Sequence, residues 1–410
     1  MRTEVLYVSS APSPREFERM NRLRRPEAAH VTYGMPESSF KFHNLLQQGL
    51  AANGARVTSV VGRAVTPAMH QGLVWKSRQD RVSADQLVEH VGFLNLPVAR
   101  QAWVSLQVLL YALRWRRSTR GADHRFVIVD AAYVTAVPAV LMACAGRSVM
   151  RIALFADIYA YMADVSDASR PRTRIRSLLA SAMRWLYARM HGFILLTEEM
   201  NSVVNPGHLP SMVMEGVADP GLEVSRHSEP SDPVIVYAGA IREIYGLGAL
   251  VTGFAAWENS RARLEIYGDG DFMGHVREAG SADSRIVLHG TVPIAEVVNA
   301  ELNASLLVNP RPTDGEFTRY SFPSKVMEYM STGTPVLTTR LPGIPDEYID
   351  LVFTIDRPGP DGITEALERV FGMPAERRTE MGIAARTFVL TGKTSLAQAR
   401  RVLDFAAGIA

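Results

Sequence analysis

Hydrophobic and polar positions along the chain fall into two alternating periods. Short apolar runs bounded by Gly, Pro, Asp or Ser have the pattern of strands buried on both faces. In the first half these are TEVLYVSS (3–10), ARVTSVVG (55–62), RFVIVDA (125–131), VMRIALFAD (149–157), GFILLT (192–197) and SMVMEG (211–216). Between them lie stretches with apolar residues three and four apart, such as FKFHNLLQQGLAAN (40–53) and TRIRSLLASAMRWLYARM (173–190), which predict amphipathic helices. The alternation stops at ADPGLEVSRHSEPSDP (218–233), rich in Pro, Ser and charge, and restarts with VIVYAGA, RLEIYGDG, RIVLHGT, ASLLVNP, PVLTT and LVFTID. The pattern predicts an α/β protein of two doubly wound parallel-sheet domains. Residues 1–217 form the first, 218–233 the linker and 234–393 the second, with a last helix near 394–410 available to pack back on the first.

Composition adds limits. The 410 residues are 47% hydrophobic and 21% charged, with a formal charge of +2, which suits globular domains and gives no basis for nucleic-acid binding. One cysteine, Cys144, sits in the apolar run VPAVLMACAG; it excludes an intrachain disulfide and reads as a packing residue. The start MRTEVLYVSS enters a strand directly and has no signal-type segment, so a cytoplasmic location is expected.

The most informative stretch is YSFPSKVMEYMSTGTPVL, 320–337. It connects two apolar runs as the helix of a β-α-β unit, with Pro323 suited to the first turn, Ser321 placed to cap free amides and Gly333 placed to end the helix. Val326, Met327 and Met330 fall on the face that packs on the sheet, while Lys325 and Glu328 share the opposite side. A helix opening at the carboxyl end of a parallel strand offers unpaired amides and the positive end of its dipole to an anion. The amides near Ser324 and Lys325 and the lysine ammonium suit a diphosphate, and Glu328 suits ribose hydroxyls. The plainer alternative is an exposed ion pair of ~0.2–0.5 kcal/mol.

The order YAGAIREIYG, EIYGDGDF, VLHGTV and FPSKVMEYMSTGTPVL resembles the nucleotide-sugar domain of the retaining glycosyltransferases of family 4, which have the GT-B fold. KFHNLLQQGLAANGARVTSV, FADIYAYM, LLTEEM and MEGVADP are similar to segments of that family's first domain, so the resemblance covers nearly the whole chain. It implies a hexosyl-type transferase that moves a sugar from a UDP- or GDP-sugar to an acceptor hydroxyl, with retention, in cell-surface polysaccharide or glycoconjugate biosynthesis. It also implies a donor site built from Gly239, Arg242, Thr291, Val292, Ser324, Lys325 and Glu328, with Asp157 beside the sugar. No metal or other cofactor is expected. Two departures stand out. Tyr245 replaces a lysine that usually follows the arginine at 242, and Tyr320 occupies the place of the first of two glutamates usually separated by seven residues. Glu316 or Asp314, in RPTDGEFTRY, is then the carboxylate placed to reach the sugar, flanked by Arg311 and Arg319. Asp269 and Asp271 have a D-x-D spacing, read as a turn and helix cap rather than a metal site.

The segment 9–38 carries Arg15, Arg19, Arg22, Arg24 and Arg25 on a connection long enough for an acceptor lid or a solvated loop. Two basic stretches suit either anionic lipid or solvent: SRPRTRIRSLLASAMRWLYARM, with Arg170, Arg172, Arg174, Arg176, Arg184 and Arg189, and VSLQVLLYALRWRRSTR. The expected partners are therefore a nucleotide-sugar, a glycan or lipid-linked acceptor, and the inner face of a membrane. Two rival readings share parts of this pattern: a nucleotide-sugar epimerase, which needs no acceptor surface, and a non-enzymatic two-lobed ligand-binding protein.

Overall fold

The computed structural model describes residues 2–25, 37–66, 70–146, 148–156, 181–219, 221 and 230–410, with 37, 97–99, 316 and 317 described by their backbone alone. The chain divides into two compact units, Met1–Val217 with Ser395–Ala410, and Ala218–Thr394. No helix among the described residues is long and apolar enough to cross a membrane.

The first unit is built on one eight-stranded sheet. Its strands are β1 (Thr3–Ser9), β2 (Arg56–Val61), β4 (Arg78–Arg81), β5 (Gln86–His90), β7 (His124–Asp130), β8 (Met150–Phe155), β9 (Gly192–Leu195) and β10 (Ser211–Val213), in the order β10-β9-β8-β7-β1-β2-β5-β4. All pairs are parallel except β4 with β5 at the edge. A separate two-stranded ribbon joins β3 (Val74–Trp75) to β6 (Phe93–Leu94). The described helices of this unit are α1 (Pro14–Arg22), α2 (Glu37–Ala52), α3 (Pro97–Ser118), α4 (Ala136–Ala143), α5 (Glu199–Val204) and, from the carboxyl end, α13 (Ser395–Gly408). Helix α13 packs on α2 at close range because Gly49 has no side chain: a Cβ there would lie 2.0 Å from the Ser395 carbonyl oxygen. Ala399, Val402 and Ala406 join Val5, Tyr7, Leu46 and Leu50 in one apolar core.

The four strands of residues 74–94 are absent from the hydrophobic reading. Segments such as RQDR and QLVEH are short and polar because they lie at or beside the sheet edge, where one face meets solvent. Part of the long arginine-rich connection after β1 is not loop but α1. Ser13 Oγ accepts from the Glu16 amide, Pro14 holds the first turn, and the buried Glu16 carboxylate accepts from Arg63 and Arg19.

The second unit has a six-stranded parallel sheet in the order β13-β12-β11-β14-β15-β16. Its strands are β11 (Val234–Ala238), β12 (Arg263–Tyr267), β13 (Ile286–Gly290), β14 (Leu306–Asn309), β15 (Val336–Thr339) and β16 (Phe353–Ile355). The connecting helices are α6 (Leu247–Ala256), α7 (Met273–Ala282), α8 (Ile294–Asn303), α9 (Ser324–Thr332), α10 (Asp346–Ile349), α11 (Pro360–Phe371) and α12 (Ala375–Gly392). The strand order runs outward from β11 and then restarts on its other side with β14. The connections leave β11 and β14 in opposite directions there, opening a crevice over their carboxyl ends.

The unit boundary falls at Val217 and Ala218, at the head of the predicted linker. Ala218 belongs to the second unit, and its amide donates to the Lys393 carbonyl at 2.7 Å. Residues 220 and 222–229 of that linker lie outside the described residues.

Candidate nucleotide site

Helix α9 begins where the sequence places it but is capped differently. The N-cap is Pro323, one residue before Ser324, and its side chain offers no acceptor to the first turn. The first-turn amides of a helix have no partner within the helix itself and point towards the space before its start. Gly333, at φ 80°, ends the helix, and Val326, Met327 and Met330 are buried on the sheet as expected. Tyr329 is buried as well, and its hydroxyl accepts from the Ala238 amide at 2.9 Å, fixing α9 against the end of β11.

That attachment sets Lys325 over the crevice between β11 and β14. Its ammonium donates to the Tyr237 hydroxyl at 2.9 Å and lies 4.4 Å from the centre of that ring and 5.8 Å from the ring of Tyr245. The Tyr237 phenol stays protonated, since burial pushes its pKa well up, and it donates to the Ala240 carbonyl at 2.7 Å. It therefore meets the lysine through a lone pair. One ammonium proton is used in this way; among the described residues no protein acceptor takes the other two.

Burial pulls the Lys325 pKa from 10.5 to about 8, and the neighbouring Arg311 pulls the same way against the opposing charges of Glu328 and Glu301. Arg311, just past the end of β14, lies 5.5 Å from the Tyr245 ring centre. Tyr245 thus has two cations within 6 Å of its ring centre. The position where the resemblance calls for a basic residue holds an aromatic ring instead, and Arg311 brings a second cation to that place from the neighbouring strand.

Gly239 ends β11 at φ 141°, a conformation suited to glycine, and a Cβ there would lie 2.0 Å from Lys325 Nζ. Its amide donates to the Tyr267 carbonyl, and the Gly268 amide donates to the Gly290 carbonyl at 2.8 Å, so the glycine ends of β11, β12 and β13 form a continuous floor. Thr291 and Val292 follow directly on Gly290 along that edge, the first exposed and the second half-buried. Ser324 and Glu328 are exposed on α9 beside Lys325, and the Glu328 charge acts on the lysine.

Arg242 stands apart from this group. Its Nε lies 3.5 Å from Asp271 Oδ2, an ion pair that ties the β11 loop to the β12 loop. Asp271 is therefore a partner of Arg242 rather than a helix cap, and α7 starts from Phe272 with no side-chain cap. Asp269 Oδ1 accepts from the Gly270 amide as a turn residue. No group of three His, Cys, Asp or Glu side chains suited to a metal occurs among the described residues. Glu316 opens a short 3-10 turn, Glu316–Arg319, but its side chain lies outside the described residues, as do Asp157 and Arg170 to Arg176.

The structure brings Gly239, Ser324, Lys325 and Glu328 together as the sequence expects, and it adds two residues the sequence did not mark: Tyr237, the lysine's hydrogen-bond partner, and Tyr245, whose ring lies near both Lys325 and Arg311. The signal was present in VIVYAGA, where a tyrosine breaks an aliphatic strand two residues before the glycine turn.

Comparison with known proteins bears on the fold and on the second unit. Residues 232–372 match the family model "Glycosyl transferases group 1". Over 186 residues the chain is 24% identical to one of the subunits of phosphatidylinositol N-acetylglucosaminyltransferase from Arabidopsis thaliana; the match takes in 43% of this chain and spans 40% of that relative's length. Among solved structures, a sucrose-phosphate synthase from Thermosynechococcus elongatus superposes with a TM-score of 0.67 at 13% identity, covering 100% of this chain and 99% of that one. The Anabaena protein HepE in complex with UDP gives 0.61 at 12% identity, covering 100% of both chains. The fold of this chain is accordingly GT-B, and its residues 232–372 match the group 1 glycosyl transferases.

Proposed function

We propose that the protein is a glycosyltransferase that takes a sugar from a nucleoside diphosphate donor, UDP- or GDP-linked, and passes it to an acceptor hydroxyl. The observation that carries this reading is the pair of cations, Lys325 and Arg311, near the start of α9 and the glycine floor of the sheet crevice. Breaking the bond between the anomeric carbon and the phosphate oxygen builds negative charge on the departing diphosphate. Lys325, Arg311 and the first-turn amides near Ser324 are placed to stabilise it. The bond from acceptor oxygen to anomeric carbon forms as that bond breaks, and the hydroxyl proton passes to a carboxylate, for which Asp157 and Glu316 are the candidates. Glu328 accepts from the ribose hydroxyls, and Thr291 with Val292 borders the base. Arg242 acts on the phosphates only after exchanging Asp271 for them.

Two further features of the reading rest on sequence resemblance: transfer with retention, and a place in cell-surface polysaccharide or glycoconjugate assembly on the cytoplasmic side. The UDP held by HepE supports a nucleotide at this site.

A thermal-shift panel of UDP, GDP and their sugars tests the donor. One nucleotide class is expected to stabilise the protein by ~2.7 kcal/mol when present at ~100 times its dissociation constant. No shift with any nucleotide would reject the assignment. Gly239→Ala is expected to keep the fold but lose at least about tenfold in nucleotide affinity, since the added methyl evicts the ammonium and strains the backbone by ~1–3 kcal/mol. Calorimetric titration checks the affinity and circular dichroism the fold.

A further inference from the structure

Helix α3 carries apolar side chains on its solvent side. Its core face is set by Val104, Val108, Ala112 and Trp115, all buried. Opposite them Trp103, Leu106 and Leu110 are 50%, 44% and 38% exposed, and their spacing of three and four residues puts them on a single stripe. Scattered exposed apolar residues are ordinary, but an aligned row opposite the core face is a surface prepared for contact.

The stripe continues into Leu113 and Arg117 and ends at a cavity of about 310 Å³ lined by Leu113, Arg116, Arg117, Arg120, Arg125 and Ser148. Four guanidinium groups and one hydroxyl surround it, and among the described residues no carboxylate pairs with any of the four. Arg116 is held by donating to the Ala143 carbonyl at 3.0 Å, and Arg151 donates to the Cys144 carbonyl at 2.7 Å. Of the four lining arginines, Arg116 is thus anchored to a backbone carbonyl rather than to an acid. Helix α4 runs beside α3, tied at its start by Ser105 to the Thr135 carbonyl and at its end by Arg116, and it exposes Met142.

We propose that this face is a membrane-docking surface: the arginine cavity takes the phosphate headgroup of an anionic glycerophospholipid while the Trp103, Leu106 and Leu110 stripe enters the interfacial layer. Arginine forks match phosphate oxygens in geometry and charge, and a tryptophan on a helix flank has its preferred place at the headgroup level. The stripe fixes the source of the phosphate, because a soluble anion uses the cations but has no use for an apolar row leading to them. This docking does not depend on the sugar-transfer reading and is tested without substrate.

The test is co-sedimentation of the full chain with vesicles of phosphatidylcholine alone and of phosphatidylcholine with about one-third phosphatidylglycerol. Binding to the anionic vesicles only is expected. The double variants Arg117→Glu with Arg120→Glu, and Trp103→Ser with Leu110→Ser, each alter exposed positions and are each expected to weaken binding at least about tenfold, with unchanged melting temperature. Absence of vesicle binding overturns the proposal, and so does binding indifferent to either variant. A third overturning result is that inorganic phosphate stabilises the wild-type chain but not Arg117→Glu with Arg120→Glu, while the stripe variant sediments as wild type; the cavity would then be a site for a free anion.

Discussion

Lys325→Met is expected to make the unliganded protein more stable while lowering glycosyl transfer about 10²–10³-fold. Both effects come from one fact: the ammonium is held where its charge is disfavoured, with the pKa drawn down to about 8 chiefly by burial. A base depressed in the folded state contributes its stability above the unfolded value of 10.5, and that stability is lost as pH falls through 8. At neutral pH the folded chain therefore carries a cost on the order of 1–3 kcal/mol, after allowance for the residue's partial exposure. Methionine has a similar length, keeps contact with the rings of Tyr237 and Tyr245, and carries no charge. The gain in melting temperature is expected to be largest below pH 8 and to vanish near pH 10.5.

The same depression makes nucleotide binding depend on protons. A diphosphate beside the ammonium restores its charge, so binding above pH 8 requires proton uptake, and affinity is expected to fall up to tenfold per pH unit over that range. Titration calorimetry in buffers of different ionisation enthalpy counts the protons taken up. Lys325→Met is expected to bind about 10²-fold more weakly at pH 7, with no proton uptake attributable to this position. A methionine variant with wild-type affinity would remove Lys325 from the site altogether.

The sequence showed the crossover helix clearly because three local signals coincide there: proline before it, glycine after it, and an apolar face between. Lys325 and Glu328 stood out against that face. What it hid was convergence. Tyr237, Tyr245 and Arg311 come from a strand, a 3-10 turn and a strand end widely separated along the chain, and they meet only because β14 pairs with β11. Periodicity reports which face of an element is buried, not which strand lies beside it. Tyr245 shows the consequence: in the sequence it is a missing cation, whereas in the structure its ring lies near two cations that other segments supply. Arg242 shows the reverse, since its motif position suggested phosphate contact but its Nε is engaged by Asp271.

The first unit hid a second feature in the same way, and it supports the other large prediction. At the strand-order reversal between β1 and β7, Tyr7, His43 and Asp130 are buried together. The Tyr7 hydroxyl lies 2.7 Å from His43 Nδ1, and His43 Nε2 is 3.5 Å from Asp130 Oδ2. His43 sits on α2 in a stretch whose pattern predicts an ordinary amphipathic helix, so nothing local marked it. Burial raises the Asp130 carboxyl to about 7 against the opposing hydrogen bond from the Ala132 amide, and burial lowers His43 to about 4. An acid raised in the folded state contributes its full stability below the unfolded value of 3.8 and loses it as pH rises through 7. His43 acts in the opposite sense: its stability is present above 6.5 and lost as pH falls through 4.

Asp130→Asn keeps the acceptor for the Ala132 amide but cannot ionise. Its stability relative to wild type is therefore expected to grow from near pH 4 and level off above pH 7, reaching the order of 4 kcal/mol. A rise in melting temperature on the order of 8–16 °C at pH 8 follows for a unit of this size. Because both proteins retain His43, their difference isolates the carboxyl, and melting curves from pH 4 to 8 read it directly. Nucleotide affinity is expected to stay unchanged, since Lys325 and its partners belong to the other unit. A gap that stayed constant across that pH range would mean Asp130 is ionised at all of these values, with His43 as its charged partner.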